Sequence, residues 1–192
     1  RLVEAAGVHQ RDGGPIGHFE IVGHHLLCGA VFSQGSVHIV VLDGEIARIV
    51  DDSDFLEFGE NYGSATVCGH AHIEGLPVGI ITNNGPIDNA GATKATHFIQ
   101  ACCQSRTPIL YLQNTTGYMV GKAVEEAGMI KHGSKMIQAV TNATVPQITL
   151  LCGASFGARN YGMCGRGFHP RLCLSWPNAK TAVMGGEQAA RT

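Results

Sequence analysis

The sequence predicts an α/β fold in which short apolar strands alternate with amphipathic helices. Hydrophobic residues make up 44% of the 192 residues and charged residues 15%, a balance that is typical of a globular chain with a packed core. After one short helix, the predicted order is strand pair, helix, strand, helix, strand, loop, short helix and strand. Such repeating β-β-α and β-α units favour a sheet covered by helices.

The first 43 residues show no regular hydrophobic period, and we assign residues 1–43 to a divergent or irregular N-terminal segment. Within it, the β-branched run 37–42 is the best candidate for a strand. From residue 44 onward the pattern becomes regular, and we assign 44–192 to one incomplete domain. Ile46, Ile49 and Val50 share one face of a short helix that ends near Asp52.

A hairpin and a helix follow. Residues 66–68 and 78–81 read as two strands, with residues 72–77 as the turn region between them. Asp88 or Asn89 can cap the next helix, because both side chains accept hydrogen bonds from free backbone amides. The predicted inner face of that helix consists of Ala92, Ala95, Ile99, Cys102 and Cys103.

The second half contains three more strands. Residues 109–112, 148–151 and 172–175 are short apolar runs, the first two of which follow prolines at 108 and 146. A single amphipathic helix is predicted from about Lys122 to Asn142. A glycine-rich loop, 153–157, is predicted to lead into another short helix.

Charge is divided unevenly along the chain. Residues 1–88 hold three basic and twelve acidic residues, a net charge of −9, whereas residues 89–192 hold ten basic and three acidic residues, a net charge of +7. The basic half suits an anionic ligand or forms an ordinary solvated surface. No motif for nucleic-acid binding occurs, and no apolar run is long enough to span a membrane.

Several site classes lack their sequence signatures. The seven cysteines include no C-x-x-C pair, and the ten histidines include no H-E-x-x-H, so no metal site is predicted. The glycine patterns of ATP-binding and dinucleotide-binding loops are also missing. Residues 153–157 do fit G-x-S-x-G, the nucleophile elbow of α/β-hydrolases. That fold needs an acid and then a histidine after Ser155, but His169 precedes Glu187, so a hydrolase is disfavoured.

Two glycine-rich loops follow consecutive predicted strands, at residues 115–121 and 153–162. Consecutive strands of one parallel sheet end at the same edge, so we expect these loops to lie side by side, each leading into a helix N-terminus. Free N–H groups at such positions point into a cleft and bind an oxyanion. The sequence therefore predicts an anion site built from backbone amides.

The chain resembles the carboxyltransferase β subunits of biotin-dependent acyl-CoA carboxylases over about residues 44–190. Residues 112–121 resemble the first signature of that family, residues 153–166 the second, and residues 176–179 with 183–188 the third. The run Asn-Tyr-Gly-Met-Cys-Gly-Arg at 160–166 is similar to methylcrotonyl-CoA and geranyl-CoA carboxylases, and Thr115, Thr116, Gly167 and Phe168 favour the geranyl-CoA type.

The resemblance implies a crotonase-like (ClpP/crotonase) spiral of β-β-α units. It places the chain in the C-terminal domain, which receives carboxybiotin from a biotin-carrying α subunit and moves the carboxyl group to a branched unsaturated acyl-CoA. The acyl-CoA is bound mainly by an N-terminal domain of a neighbouring subunit, so the enzyme is a homo-oligomer and this piece alone is expected to be inactive. No ATP or metal is expected on the chain, and the expected location is cytoplasmic, or the mitochondrial matrix in a eukaryote.

The resemblance also implies the site residues. The backbone amides of Ala158 and Arg159 map to the donors that hold the ureido oxygen of biotin, although the family pattern has Gly where this chain has Arg159. The remaining residues expected to bind biotin or substrate are Thr116, Gly117, Tyr118, Met119, Val120, Gly121, Phe156 and Gly157. The alternatives are a catalytically inactive crotonase-fold binding or scaffold protein and, since few acidic residues follow residue 88, less readily a hydratase.

Overall fold

The computed structural model describes residues 8–10, 16–21, 27–33, 36–39, 41–115, 117–183 and 190. Side chains are described from Glu45 onward, apart from those of Thr115, Ala158 and Arg159. The chain divides into two compact units, residues 1–54 and 55–192.

The first unit contains a four-stranded antiparallel sheet with the strands in chain order. Its strands are β1 (Val8–Gln10), β2 (Ile16–Ile21), β3 (Leu27–Ser33) and β4 (Ser36–Ile39). Helix α1 (Val41–Ile49) follows, and then a 3₁₀ turn (Asp51–Ser53). The segment predicted to be irregular thus contains regular hairpins, and the predicted strand 37–42 ends at Ile39 because the helix begins two residues later.

The second unit is built on a seven-stranded sheet, ordered β10-β9-β8-β7-β6-β5 with β11 also paired to β9. Its strands are β5 (Phe55–Glu57), β6 (Thr66–Ile73), β7 (Leu76–Asn83), β8 (Ile109–Thr115), β9 (Gln147–Phe156), β10 (Leu172–Ser175) and β11 (Lys180–Ala182). The pairs among β5, β6 and β7 are antiparallel, and those from β7 through β11 are parallel.

Among its described residues this unit also contains three α-helices: α2 (Asn89–Ser105), α3 (Lys122–Glu126) and α4 (Met129–Thr141). Helix α2 buries Ala92, Ala95, Ile99 and Cys102 as predicted, whereas Cys103 is only partly buried. These side chains join one core with Phe98, Tyr111 and Met136, in which α2 and α4 pack against each other and the sheet. The predicted α/β class is therefore confirmed.

Three predicted element boundaries were wrong for local reasons. The turn of the β6–β7 hairpin is only Glu74 and Gly75, whose positive φ angles of 52° and 75° are those of a two-residue type I′ turn. The long helix predicted over 122–142 is divided into α3 and α4, because Gly128 has a φ of 93°. Residues 153–156 are the end of strand β9 and not a loop.

Removal of the N-cap of α2 is expected to destabilise the second unit measurably. Asp88 has extended backbone dihedrals, and its Oδ1 accepts a hydrogen bond of 2.6 Å from the amide of Gly91. Asp88→Ala should lower the free energy of unfolding by about 1 kcal/mol. Urea unfolding measures this loss, and Asp88→Ser, which keeps a capping oxygen, should recover most of it. Equal losses for both variants would contradict the capping role.

Candidate functional site

The carboxyl ends of β7, β8 and β9 meet at one edge of the sheet, and the loops that follow them lie together. The amide of Ile87, after β7, donates to the carbonyl of Gly117, and the amide of Met119 donates back to Ile87, each at 2.8 Å. Tyr118 in turn contacts Gly162, so closely that a Cβ there would overlap the tyrosine hydroxyl. The predicted neighbourhood of the two glycine-rich loops is therefore confirmed.

The loop after β8 combines a fixed centre with an exposed tip. Gly117 is buried with a φ of 127°, and Gly121 reaches a φ of 137° immediately before α3. Tyr118 is anchored at 3.8 Å from the sulfur of Met136 in α4, and burial raises the pKa of its hydroxyl to about 12. Met119 and Val120 are exposed. Thr116, also predicted to belong to the site, lies outside the described residues.

The loop after β9 begins with a left-handed glycine. Phe156 is the last residue of β9, Gly157 has a φ of 65°, and a 3₁₀ helix (Gly157–Met163) starts there. This helix contains the backbone of Ala158 and Arg159, while their side chains lie outside the description. In a regular 3₁₀ helix the first two amides have no partner within the helix, whereas the third donates to the carbonyl that precedes it. By this pattern the amide of Ala158 has no partner within the helix, whereas the amide of Gly157 follows Phe156, which still pairs with Ala182 of β11.

The hydrolase interpretation is wrong on geometry. A nucleophile elbow holds its serine exposed at a sharp turn between a strand and a helix. Ser155 instead lies inside β9, where it pairs with Thr115 of β8 and Thr181 of β11. Its side chain is buried, and its Oγ is 3.2 Å from Nε2 of Gln113. No strained turn presents this hydroxyl to a substrate.

Two asparagines at the same edge were not among the predicted site residues. Asn83 ends β7 and is fully buried; its Nδ2 donates to the carbonyls of Gly85 at 2.8 Å and Asn114 at 3.1 Å. Asn114 lies near the end of β8, and its Oδ1 accepts from the amide of Ala154 at 3.0 Å. The signal that could have revealed them is the recurrence of Asn where consecutive parallel strands end.

The buried thiols are inert groups of the core. Burial raises the pKa of Cys68 and Cys102 to about 12 and that of Cys164 to about 11, so these thiols stay protonated at neutral pH. Among the residues that the structure describes, no group of three or more His, Cys, Asp or Glu side chains could hold a metal ion. Over the same residues, no helix has the length and hydropathy to cross a membrane.

The chain is similar to one protein family and to curated proteins of related name. The family model described as "Carboxyl transferase domain" matches residues 43–192. The mitochondrial methylcrotonoyl-CoA carboxylase beta chain of Dictyostelium discoideum is 56% identical over 145 residues, which are 76% of this chain and 25% of that protein. The biotin-dependent 3-methylcrotonyl-coenzyme A carboxylase beta1 subunit of Mycobacterium tuberculosis is 50% identical over 145 residues, 76% of this chain and 27% of that protein.

The fold is also similar to that of solved structures. The beta subunit of P. aeruginosa geranyl-CoA carboxylase superposes with a TM-score of 0.76 at 58% sequence identity, covering 78% of this chain and 29% of that one. The crotonase-like fold that the sequence implied is therefore confirmed. The chain spans about a quarter of the length of the curated relatives that it matches.

Proposed function

The chain belongs to the carboxyl transferase domain family, and on this premise we propose that it is part of the carboxyltransferase subunit of a biotin-dependent acyl-CoA carboxylase. One observation carries the proposal: the glycine-rich loops after β8 and β9 lie together at one sheet edge, and a 3₁₀ helix begins directly after β9. The proposed reaction moves a carboxyl group from carboxybiotin to a branched unsaturated acyl-CoA.

The residues at this edge fit the charge of such a reaction. Carboxybiotin, when bound, supplies the carboxyl group and leaves a ureido oxygen that gains negative charge. Neither loop 117–121 nor loop 157–163 contains an acidic residue, so nothing in them repels an anion. The glycines at 117, 121 and 157 keep the backbone open to a ligand. The two loops therefore suit an anionic group that binds through backbone N–H donors.

The proposed donors act by being held in place before charge develops. We favour the amide of Ala158 as the donor, because it has no partner in a regular 3₁₀ helix. In the same pattern the amide of Arg159 donates to the carbonyl of Phe156, so it would have to give up that bond to act as a second donor. One well-placed donor of this kind contributes on the order of 3 kcal/mol to transition-state stabilisation. Thr116 to Gly121, Phe156 and Gly157 are proposed as the surrounding walls of the biotin and substrate site.

The substrate, the partner, the assembly and the location are proposed for the whole subunit. We propose geranyl-CoA or 3-methylcrotonyl-CoA as substrate, a biotin-carrying biotin carboxylase α subunit as partner, and a homo-oligomer of carboxyltransferase subunits. The similarity to the beta chains named above supports the choice of substrates and the role as a β subunit. The proposed location is cytoplasmic, or the mitochondrial matrix in a eukaryote.

One feature favours the second candidate, a crotonase-fold scaffold without catalysis. Arg159 stands where the resemblance expects glycine, and a long side chain there can cover the donor that should face biotin. The test is fixation of radiolabelled bicarbonate by the full-length subunit with its α subunit and ATP, on a panel of acyl-CoAs. Carboxylation of a branched unsaturated acyl-CoA supports the enzyme, and stable assembly without product on any acyl-CoA supports the scaffold.

Replacement of Arg159 tests the donor assignment directly. In the full-length subunit, Arg159→Gly should raise the rate of carboxyl transfer roughly tenfold, since a misplaced backbone donor is poorly replaced by a flexible side chain. Steady-state kinetics of the reverse reaction, in which a carboxylated acyl-CoA gives its carboxyl group to free biotin and leaves the acyl-CoA, measures both the rate and the KM for biotin. Arg166→Gly, a change of the same chemistry in the following 3₁₀ turn (Arg166–Phe168), is the control. If Arg159→Gly matches the unsubstituted subunit in activity and in biotin affinity, this amide does not belong to the site.

A further inference from the structure

The pairing of β8 with β9 is interrupted just before the proposed donor loop. Gln113 is opposite Leu151, but Thr115 is opposite Ser155, so Asn114 alone faces the three residues 152–154. A bulge of this kind leaves backbone groups without their ladder partners. The amide of Ala154 is recovered by a side chain, because Oδ1 of Asn114 accepts from it at 3.0 Å.

The other edge of β9 changes its neighbouring strand at the same place. Strand β10 pairs with residues 148–151 of β9, and β11 pairs with residues 154–156. Residues 152 and 153 lie between these two ladders and belong to the register of neither. The contact from Asn114 thus ties β8 to β9 where the regular ladders are interrupted, four residues before Ala158.

The absence of a side chain at Gly153 leaves room for this contact. A Cβ at Gly153 would overlap Oδ1 of Asn114 and come within 2.7 Å of its Cγ, although Cβ of Asn114 would stay at 3.4 Å. The asparagine side chain therefore occupies the space that any larger residue at 153 would fill. Asn114 is itself held from the opposite side, where Nδ2 of Asn83 donates to its carbonyl at 3.1 Å. The two asparagines join the ends of three parallel strands.

We propose that Asn114 is a positioning residue for carboxyl transfer: its bond to the Ala154 amide fixes the bulge of β9 and so the orientation of the donor amides that follow. This inference rests on the proposed function. It assigns the Asn83–Asn114–Ala154 chain of hydrogen bonds to the biotin side of the site and leaves acyl-CoA binding to other parts of the subunit.

The test combines a double-variant cycle with amide hydrogen exchange in the full-length subunit. Asn114→Ala removes the acceptor, and Gly153→Ala displaces it. Each should lower kcat roughly tenfold through a displaced donor while the KM for acyl-CoA stays unchanged. Because the three atoms nearest to a Cβ at residue 153 all belong to the asparagine side chain, Gly153→Ala should add little when Asn114→Ala is already present. Amides of 154–158 should exchange faster in both single variants.

Asn142→Ala is the matched control, since Asn142 is an exposed asparagine whose Nδ2 donates to the carbonyl of Gln138 at the end of α4. It should leave kcat, the KM for acyl-CoA and the exchange of 154–158 unchanged. Full activity of Asn114→Ala, additive effects in the cycle, or unchanged exchange at 154–158 would each overturn the inference. Failure of the proposed function would appear differently, as no carboxyl transfer by the unsubstituted protein on any acyl-CoA.

Discussion

Gly157→Ala is expected to reduce carboxyl transfer by the full-length subunit roughly hundredfold, the scale of a displacement of about 1 Å at a reacting centre. Gly157 has a φ of 65°, a conformation that L side chains rarely adopt. An added Cβ would also lie 3.0 Å from the carbonyl oxygen of Val183. Both effects push the start of the 3₁₀ helix, and with it the amides of Gly157 and Ala158, away from its present position.

The matched control is Gly75→Ala at the tip of the β6–β7 hairpin. Gly75 has a φ of 75°, and a Cβ there would meet nothing within 4 Å. Both substitutions therefore carry a left-handed conformational penalty of roughly 1–2 kcal/mol, but only one of them lies at the proposed site. Bicarbonate fixation and thermal midpoint should be measured for both. Similar activity losses in the two variants would show that stability, and not donor geometry, accounts for the effect.

Glu57→Gln is expected to lower the free energy of unfolding by about 3 kcal/mol, because it leaves a buried cation without its partner. Lys94 of α2 is only 1% exposed, and its Nζ lies 2.9 Å from Oε1 of Glu57 in β5, which is 28% exposed. The pair ties the edge strand of the sheet to the central helix. Urea unfolding, followed by the change in far-ultraviolet circular dichroism, measures the loss.

Two further variants separate burial from charge in this pair. Glu126→Gln breaks the ion pair in which Nζ of Lys122 lies 3.9 Å from Oε1 of Glu126. The side chain of Glu126 is 68% exposed and that of Lys122 is 89% exposed. Because solvent screens such a surface pair, no measurable change in stability is expected. Lys94→Met removes the buried charge itself and should destabilise less than Glu57→Gln. If Glu57→Gln proves as neutral as Glu126→Gln, the buried pair does not stabilise the fold.

Much of the second unit follows from periodicity and from local residue chemistry. The inner face of α2 and the cores of β6 to β9 were predicted because apolar spacing reflects burial directly. Asp88 was one of the two predicted caps, and β10 was predicted from its apolar run although its four residues are exposed. Where the prediction went wrong, a glycine or a distant partner decided the outcome. Gly128 divides the helix predicted over 122–142, and residues 153–156 extend β9 because β8 and β11 pair with them.

The hairpins of residues 8–39 and the strands β5 and β11 could not be predicted from their own sequence patterns. Short strands with interspersed Gly, His and polar residues carry no clear alternation, so their pairing depends on neighbours and not on their own pattern. β11, for example, is a strand of three exposed residues defined by parallel pairing to β9. No local signal in Lys180–Ala182 marks it as part of the sheet.

The sequence by itself determined the α/β class, the family, and the position of two glycine-rich loops at one sheet edge, since parallel strands in succession end at the same side. Only the tertiary structure decided which residues from distant parts of the chain meet. Asn114 reaches Ala154 across 40 positions of the chain, and Lys94 reaches Glu57 across 37. Such contacts depend on strand register and on the bulge in β9, which no periodicity records, because periodicity reports how one segment meets its surroundings and not which residue it meets.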